Sequence, residues 1–191
     1  MPTTADLLRA LAAVLHQRGH RWYVFGAQAL AVHGRARHTD DVDVTVECPP
    51  TEARVLWSAL EDAGFRMRVA EPERFLARTH VLPLTWEPGP MDLDLILAGS
   101  GLEQLFLSRA NMHDLGGVTV PVLTAEDLVI AKVLAQRPKD LEDVRSVLRA
   151  QPTLDLAHVR RVLRDLEEAL QQSDLLPVLE DLVAAGATGP R

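Results

Sequence analysis

The sequence predicts an α/β domain followed by a helical subdomain, and three observations support this prediction. Short apolar runs typical of strands alternate with segments of helical periodicity up to residue 123. From residue 124 onward almost every segment has helical periodicity. Apolar residues make up 47% of the chain and charged residues 25%, which is the composition of a globular protein with a sizeable core. We therefore predict an α/β domain over 1–123, with a sheet flanked by helices, and a C-terminal helical subdomain over 124–191.

The first elements along the chain have clear boundaries. Residues 4–18 carry leucines at helical spacing behind a threonine that can act as N-cap. An apolar strand over 22–25 ends at Gly26, and a short helix then runs to Gly34, where glycine is a natural helix stop. The valine-rich run "DVDVTVE" predicts the next strand, and a helix follows over 51–63.

The middle of the chain is less regular than its beginning. Strand pieces are expected in "FRMRVA" and "HVLPLTW", with loops at 71–74 and 87–90. The run "MDLDLILAG" predicts a strand because acidic and apolar residues alternate in it. A short helix near 102–110 and a hairpin-like strand pair in "GGVTVPVLT" complete this part. Four helices are predicted after it, over 125–136, 139–150, 155–171 and 174–184.

Charge and cysteine content limit the possible classes of function. The formal net charge of −7, from 27 acidic and 20 basic side chains, disfavours a general nucleic-acid coat protein but leaves room for a local basic groove. The single cysteine, Cys48, excludes an internal disulfide and a cysteine-based zinc site. The first residues make a poor signal peptide, and no apolar run is long enough to span a membrane. We therefore expect a soluble cytoplasmic protein that has no membrane partner.

Two predicted strands carry paired aspartates. Residues i and i+2 of a strand point to the same side, so Asp41 and Asp43 share one face while the valines between them share the other. Asp92 and Asp94 repeat this arrangement in "MDLDLIL". The simplest interpretation of one such pair is the wet face of a half-exposed sheet. The doubled pattern favours a carboxylate cluster whose mutual repulsion is relieved by a hard divalent cation, with Mg²⁺ as the natural candidate.

A glycine turn lies shortly before the first aspartate pair, in "VFGAQALAVHG". A strand that ends in such a turn and leads into a helix points backbone N–H groups at the helix start, where a phosphate can bind. Gly26 can hold an unusual backbone angle and lets a ligand approach closely. Many strand-to-helix turns contain glycine, so this feature gains meaning only beside the aspartates.

Together these segments resemble the nucleotidyltransferases of the polymerase-β superfamily. Their signature is a hydrophobic-Gly-Gly/Ser turn followed by a DxD strand, and here Phe25-Gly26-Ala27 precedes Asp41-Val42-Asp43-Val44 by thirteen residues. The wider run "GAQALAVHGRARHTDDVDV" is similar to the minimal, toxin-type (AbiEii-like) nucleotidyltransferases. The residues that match the two segments of that pattern are Gly26, Ala29, Gly34, Arg37, Thr39, Asp41 and Asp43.

The resemblance continues downstream and spans about residues 22–147. "LDLILAGSG" resembles the strand of the third carboxylate, which makes Asp94 the third metal ligand and Asp92 its neighbour. "LTAEDLVIAKVLAQRPKDLEDV" resembles the later motifs, a helix with a lysine followed by an Arg-x-Lys-Asp-x-x-Asp segment. The resemblance implies catalysis and metal binding by Asp41, Asp43 and Asp94. It implies nucleotide binding by Gly26, Ala27, Arg37, Thr39, Lys132, Lys139 and Asp140.

The family implies a fold and a reaction. The fold is a polymerase-β-type mixed sheet flanked by helices, and the reaction moves a nucleoside monophosphate from a nucleoside triphosphate to an acceptor. Mg²⁺, with Mn²⁺ as its substitute, would stabilise the attacking and leaving oxygens. The implied acceptor is an RNA or tRNA end or a protein, and a toxin-type enzyme would also have an antitoxin partner.

Several residues keep a second interpretation. Arg37 fits a triphosphate contact or a clamp on the strand carboxylates equally well, and Lys132 also fits a snorkelling surface lysine. An acid at Asp140 is favoured by the helix dipole whatever the function. A cluster of arginines could hold an acidic acceptor, although a solvated charged face is the favoured interpretation for them. These arginines are Arg66, Arg68, Arg74 and Arg78.

Three other functions stay open at this point. The acidic net charge mildly favours a cationic small acceptor, as in an antibiotic nucleotidyltransferase, over RNA. The second function is that of a nucleotide-binding module that has lost its catalytic activity. Ala27 is the only residue that suggests this, because alanine lacks the hydroxyl of the family's serine. The third is a purely structural metal site, which would bind Ca²⁺ without any need for triphosphate.

Overall fold

Seven strands form one mixed sheet in the described part of the chain. The structure is a computed structural model that describes residues 1–36, 39, 41–99 and 101–187. The strands are β1 Trp22–Val24, β2 Asp41–Val46, β3 Phe65–Met67, β4 Val81–Trp86, β5 Met91–Leu97, β6 Asn111–Asp114 and β7 Thr119–Val122. Their order in the sheet is β3-β4-β5-β2-β1-β7-β6. Strand β2 pairs in parallel with β5, as β1 does with β7, and the other pairings are antiparallel.

Helices fill most of the remaining described residues. They are α1 Thr4–Gln17, α2 Gly26–His33, α3 Ala53–Asp62, α4 Pro72–Thr79, α5 Leu102–Arg109, α6 Ala125–Ala135, α7 Pro138–Ala150, α8 Leu156–Leu170 and α9 Leu175–Ala187. Side-chain caps fix several of their starts. Thr3 and Asp6 form a capping box at α1, and the Thr124 hydroxyl accepts a hydrogen bond from the Asp127 amide at α6. The mixed sheet followed by helices confirms the predicted α/β fold.

The apolar face of the sheet forms the core beneath the aspartates. Val42, Val44 and Val46 of β2 are buried, and so are the leucines beside them on β5. Parallel pairing sets Val44 opposite Leu95, so that the apolar residues of the two strands lie on one side. The aspartates alternate with these residues and lie on the other side. The core therefore fixes the direction in which the aspartates point, because a register slip of one residue would bury them.

Two parts of the sequence prediction were wrong in detail. Helix α4 begins at Pro72, within a segment predicted as a loop at 71–74, and none of its residues is buried. The predicted strand pair in "GGVTVPVLT" also needs correction. Only its middle part, Thr119–Val122, forms a strand, β7, and the partner of this strand is the earlier and mostly exposed β6. Gly116 and Gly117 lie between the two strands with positive φ angles of 70° and 88°.

Contacts divide the chain into two compact units. One consists of residues 1–28 and 38–123, and the other of residues 29–37 and 124–191. Helix α2 thus begins in the first unit and ends in the second. The predicted domain boundary at residue 123 stays a prediction, because a compact unit of contacts is not by itself an independently folding domain. Among the described helices, none combines the length and the apolar character that crossing a membrane requires.

Candidate functional site

Two in-register parallel strands bring the predicted metal ligands together. Asp41 lies opposite Asp92, and Asp43 lies opposite Asp94, in the ladder between β2 and β5. One carboxylate oxygen from each of Asp41, Asp43 and Asp94 can be chosen so that all three lie within 4.8 Å of one another. Asp41 is exposed and the other two are half-buried, so solvent can reach the cluster. Converging oxygen atoms of this kind suit a hard cation such as Mg²⁺ or Mn²⁺.

Gly26 lies directly against this cluster. Its φ of +61° is a left-handed conformation, which glycine adopts without strain. A Cβ atom at this position would overlap the Asp43 carboxylate and lie 2.8 Å from its Cγ. The amide of Phe25 donates a hydrogen bond of 3.0 Å to the Asp43 carbonyl, which ties the turn to β2. The turn and the second aspartate are therefore packed as one piece, and Ala27 is buried just behind them.

Thr39 and a cavity lie on the other side of Asp41. The Thr39 hydroxyl donates a hydrogen bond to the Asp41 carboxylate and so helps to orient it. Both residues line a cavity of about 190 Å³, together with Thr4 and Gln28 as polar residues and Met91 as an apolar one. The cavity gives a small polar group access to Asp41, the first of the predicted metal ligands. Arg37, also predicted to bind nucleotide, lies outside the described residues.

Arg68 contacts two of the strand aspartates, which sequence reasoning did not predict. Its guanidinium binds two carboxylates, with 3.3 Å between Nη1 and Asp92 Oδ2 and a second ion pair to Asp94 Oδ1. Thr85 holds the same Asp92 by donating a hydrogen bond of 2.7 Å to Oδ1. Asp92 thus binds two neighbouring side chains, whereas Asp94 binds Arg68 and also belongs to the cluster with Asp41 and Asp43. The resemblance had made the same distinction between the two aspartates.

Two other arginines of the predicted cluster, Arg66 and Arg74, have separate partners. The closest contact between Arg66 and Glu87 is 3.3 Å, from Nε to Oε2, and Arg74 forms an ion pair of 3.0 Å with Glu71. All four of these side chains are largely exposed. For Arg66 and Arg74, the favoured interpretation of a solvated charged face therefore agrees with the structure, whereas Arg68 departs from it.

Lys132 and Asp140 lie together in the helical unit. The Lys132 ammonium is buried between Asp140, at 3.1 Å, and Asp143, at 2.6 Å. Arg137 forms a further ion pair with Asp140. Burial raises the pKa of the Asp140 carboxyl, but hydrogen bonds from Arg137 and Lys132 outweigh this effect and hold the pKa below the ordinary value of 3.8.

This cluster bears on the predicted nucleotide-binding residues. Lys132 is buried, so it is not the snorkelling surface lysine that the pattern also allowed. Two of its three ammonium N–H donors are used by Asp140 and Asp143. Lys139, unlike Lys132, is exposed, and it lies at the start of α7. Nucleotide binding by Lys132, Lys139 and Asp140 stays a prediction.

Comparison with known proteins identifies the family. Residues 6–183 match the family described as "Nucleotidyltransferase of unknown function (DUF6036)". A search of curated proteins gives no significant match.

Solved structures with a similar fold include three nucleotidyltransferase-like proteins. The antibiotic-resistance factor ANT(2″)-Ia, in complex with adenylyl-2″-tobramycin, is 16% identical with a TM-score of 0.57, over 88% of this chain and 99% of that one. The lincosamide antibiotic adenylyltransferase LnuA, bound to lincomycin, is 15% identical with a TM-score of 0.51, over 76% and 96%. An antigenic nucleotidyltransferase-like protein from Paracoccidioides brasiliensis is 16% identical with a TM-score of 0.51, over 92% and 91%. At these identities the likeness shows the fold alone.

The family match extends over nearly the whole chain and includes both aspartate strands. It confirms the resemblance to a minimal nucleotidyltransferase, whereas the toxin-type subfamily stays a prediction. The protein is therefore an enzyme of the nucleotidyltransferase class. The chain belongs to the nucleotidyltransferases of unknown function (DUF6036).

Proposed function

We propose that the protein transfers a nucleoside monophosphate from a nucleoside triphosphate to an acceptor in a reaction that depends on Mg²⁺. The observation that supports this most directly is the convergence of Asp41, Asp43 and Asp94 within 4.8 Å beside the Gly26 turn. Three carboxylates this close repel one another, so their arrangement favours a bound divalent cation. The family supplies the reaction class.

The donor set fits a hard cation. Asp41, Asp43 and Asp94 would hold Mg²⁺, or Mn²⁺ in its place, through carboxylate oxygens. When bound, such a cation neutralises charge on the triphosphate and on the attacking oxygen. Thr39 keeps the Asp41 carboxylate in a fixed orientation through its hydroxyl.

The remaining residues of the proposal bind and orient the substrates. The backbone amides at Gly26 and Ala27 open helix α2 and can donate hydrogen bonds to phosphate oxygens, a role that needs no side-chain hydroxyl at Ala27. Asp94 can accept the proton of an acceptor hydroxyl that approaches the cluster. Arg37, Lys132, Lys139 and Asp140 complete the proposed nucleotide-binding set, and what supports them is the match to the family motifs.

The acceptor divides the proposal into two candidates. An RNA or tRNA end or a protein is the acceptor that the minimal nucleotidyltransferases imply, and with it come a toxin role and an antitoxin partner. A small cationic acceptor is the second candidate, and the net charge of −7 favours it because an acidic surface attracts cations and repels RNA. Two proteins of similar fold are aminoglycoside and lincosamide nucleotidyltransferases, which makes these compounds sensible first substrates to test.

A labelling experiment tests both candidates. The protein is incubated with each α-³²P-labelled triphosphate and Mg²⁺, together with total tRNA, cell extract, aminoglycosides or lincosamides. We expect label on one acceptor class with the intact protein and none with Asp41→Asn/Asp43→Asn. The control Asp62→Asn/Asp181→Asn removes the same charge at exposed positions and should keep full activity.

The outcomes separate reaction from acceptor. Label on tRNA or protein supports the first candidate, and label on an antibiotic supports the second. A third outcome is that no acceptor is labelled, but the intact protein binds triphosphate and the Asp41→Asn/Asp43→Asn variant does not. This result would support the proposed site and exclude the acceptors that were tested. Equal labelling by that variant and the intact protein would overturn the assignment of the aspartates.

A further inference from the structure

Arg68 connects two carboxylates that have different surroundings. It projects from the segment after β3, where its amide donates a hydrogen bond of 2.9 Å to the Pro83 carbonyl on β4. Its guanidinium reaches across β4 to Asp92 and Asp94 on β5. The Arg68 side chain is only 32% exposed, so it lies along the surface of the sheet rather than out in solvent. This contact is made while Asp94 takes part in the cluster with Asp41 and Asp43.

The charges explain why a cation can lie so close to a metal site. An isolated arginine beside Asp94 would repel a divalent cation. Asp92 supplies the opposing charge, and the Thr85 hydroxyl fixes Asp92 in place. Arg68 and Asp92 together are neutral, so the three carboxylates of Asp41, Asp43 and Asp94 keep their full charge for the cation. Arg68 can then orient the Asp94 carboxylate by the direction of its hydrogen bond without changing the net charge of the site.

We propose that Arg68, balanced by Asp92, is a positioning residue that holds the Asp94 carboxylate in the orientation needed to bind the divalent cation. Arg68 contacts Oδ1 of Asp94, and a carboxylate has a second oxygen with which it can bind a cation. Hydrogen-bond partners of metal ligands orient those ligands, and their loss commonly lowers metal affinity by about 10–100-fold. This inference rests on the proposed function, because it assumes the cation site formed by Asp41, Asp43 and Asp94.

A charge-neutral double variant tests the proposal. Arg68→Gln/Asp92→Asn removes the positioning contact while the net charge of the site stays constant. We expect its affinity for Mn²⁺ alone, measured by electron paramagnetic resonance without any substrate, to fall by about tenfold or more. Arg68→Lys keeps the charge but lacks the planar fork that reaches both carboxylates, so its affinity should lie between those of the double variant and the intact protein.

A neighbouring ion pair provides the matched control. Arg66→Gln/Glu87→Gln also removes one arginine and one carboxylate from this side of the sheet, and it should leave the Mn²⁺ affinity unchanged. Thermal unfolding of each variant checks that it is folded. If the double variant is unfolded, the Mn²⁺ affinity of Arg68→Lys tests the proposal instead.

The outcomes distinguish this inference from the proposed function. Wild-type affinity in both Arg68→Gln/Asp92→Asn and Arg68→Lys would overturn the positioning role and leave the metal site intact. Tighter binding by the double variant would also overturn it, since Arg68 would then compete with the metal for Asp94. Failure of the unaltered protein to bind Mn²⁺ would overturn the metal site and the inference together.

Discussion

At the scale of single residues, the role of each carboxylate is set by the side chain across from it. Asp92 and Asp94 lie two positions apart on the same strand and face the same side of the sheet. Thr85 and Arg68 both bind Asp92. Asp94 also forms an ion pair with Arg68, and it lies opposite Asp43 on the neighbouring strand. A DxD pair on one strand therefore contains one supporting residue and one candidate ligand.

Gly26→Ala is predicted to damage the site more than the fold. A side chain at φ +61° costs about 1–2 kcal/mol of stability, and the new Cβ would also push the Asp43 carboxylate away. We expect Mn²⁺ affinity and nucleotidyl transfer to fall by at least about tenfold, measured by electron paramagnetic resonance and by the labelling assay.

Gly19→Ala separates backbone strain from the clash with Asp43. Gly19 has a similar φ of +68°, but a Cβ there would meet no atom within 4 Å. This variant should lose a comparable amount of stability and keep its Mn²⁺ affinity. Equal loss of affinity in both variants would show that strain, and not contact with Asp43, is responsible.

Sequence patterns predicted the ligands but not their support. Asp41 and Asp43 could be assigned to one face because strand periodicity is local. The role of Arg68 depends on the pairing of β3 with β4 and of β4 with β5, which no local pattern contains. The sequence contains one signal for Arg68, the alternation of arginines in "FRMRVA" within a predicted strand. This alternation places Arg66 and Arg68 on one face of the strand but does not predict which residues they contact.

At the scale of elements, burial decides which segments the sequence reveals. The strands with buried alternate residues, β2, β4 and β5, were predicted close to their observed bounds. Helix α4 has no buried residue, and β6 is mostly exposed, so neither shows the apolar periodicity on which a prediction depends. Pro72 at the first position of α4 is a helix-start signal that is independent of burial.

The pair of helices α6 and α7 gives a prediction about pH. Asp140→Asn should lower the free energy of unfolding by about 3 kcal/mol near neutral pH, because the variant loses a buried ion pair while Asp143 still contacts Lys132. The folded-state pKa of Asp140 lies below 3.8, so its stabilising effect is complete above that value and is lost as pH falls through the lower folded value.

Urea unfolding at several pH values measures this effect. The difference between the unaltered protein and Asp140→Asn should be largest near neutral pH and shrink below pH 3.8. Glu142→Gln, on the exposed side of the same helix, is the control and should change stability by less than about 0.5 kcal/mol. A pH-independent difference would show that Asp140 does not act through its charge.

At the scale of the whole molecule, the proposed metal site is expected to lower the stability of the metal-free protein. Directly opposed carboxylates destabilise a strand pair, and here Asp41 faces Asp92 and Asp43 faces Asp94. Without divalent cations, Asp41→Asn/Asp43→Asn should therefore be more stable than the unaltered protein, by about 0.5–1 kcal/mol. With Mg²⁺ the order should reverse, because a ligand that binds only the folded state stabilises it by mass action.

Denaturant unfolding with EDTA and with Mg²⁺ tests this reversal. The charge-matched Asp62→Asn/Asp181→Asn variant should follow the unaltered protein in both conditions. If removing Asp41 and Asp43 destabilises the protein even in EDTA, the carboxylates are held by contacts that compensate their repulsion, and the argument from repulsion to metal binding is wrong.

The parallel pairing of β2 with β5 also has a consequence for synthesis of the chain. Strand β2 leaves the ribosome first, and its partner follows only after two further helices and two further strands. Until β5 emerges, the nascent chain holds only two of the three clustered carboxylates, Asp41 and Asp43, and lacks Asp94. The proposed cation site is therefore complete only after this long-range pairing, so this part of the chain has to fold before the site can bind a cation.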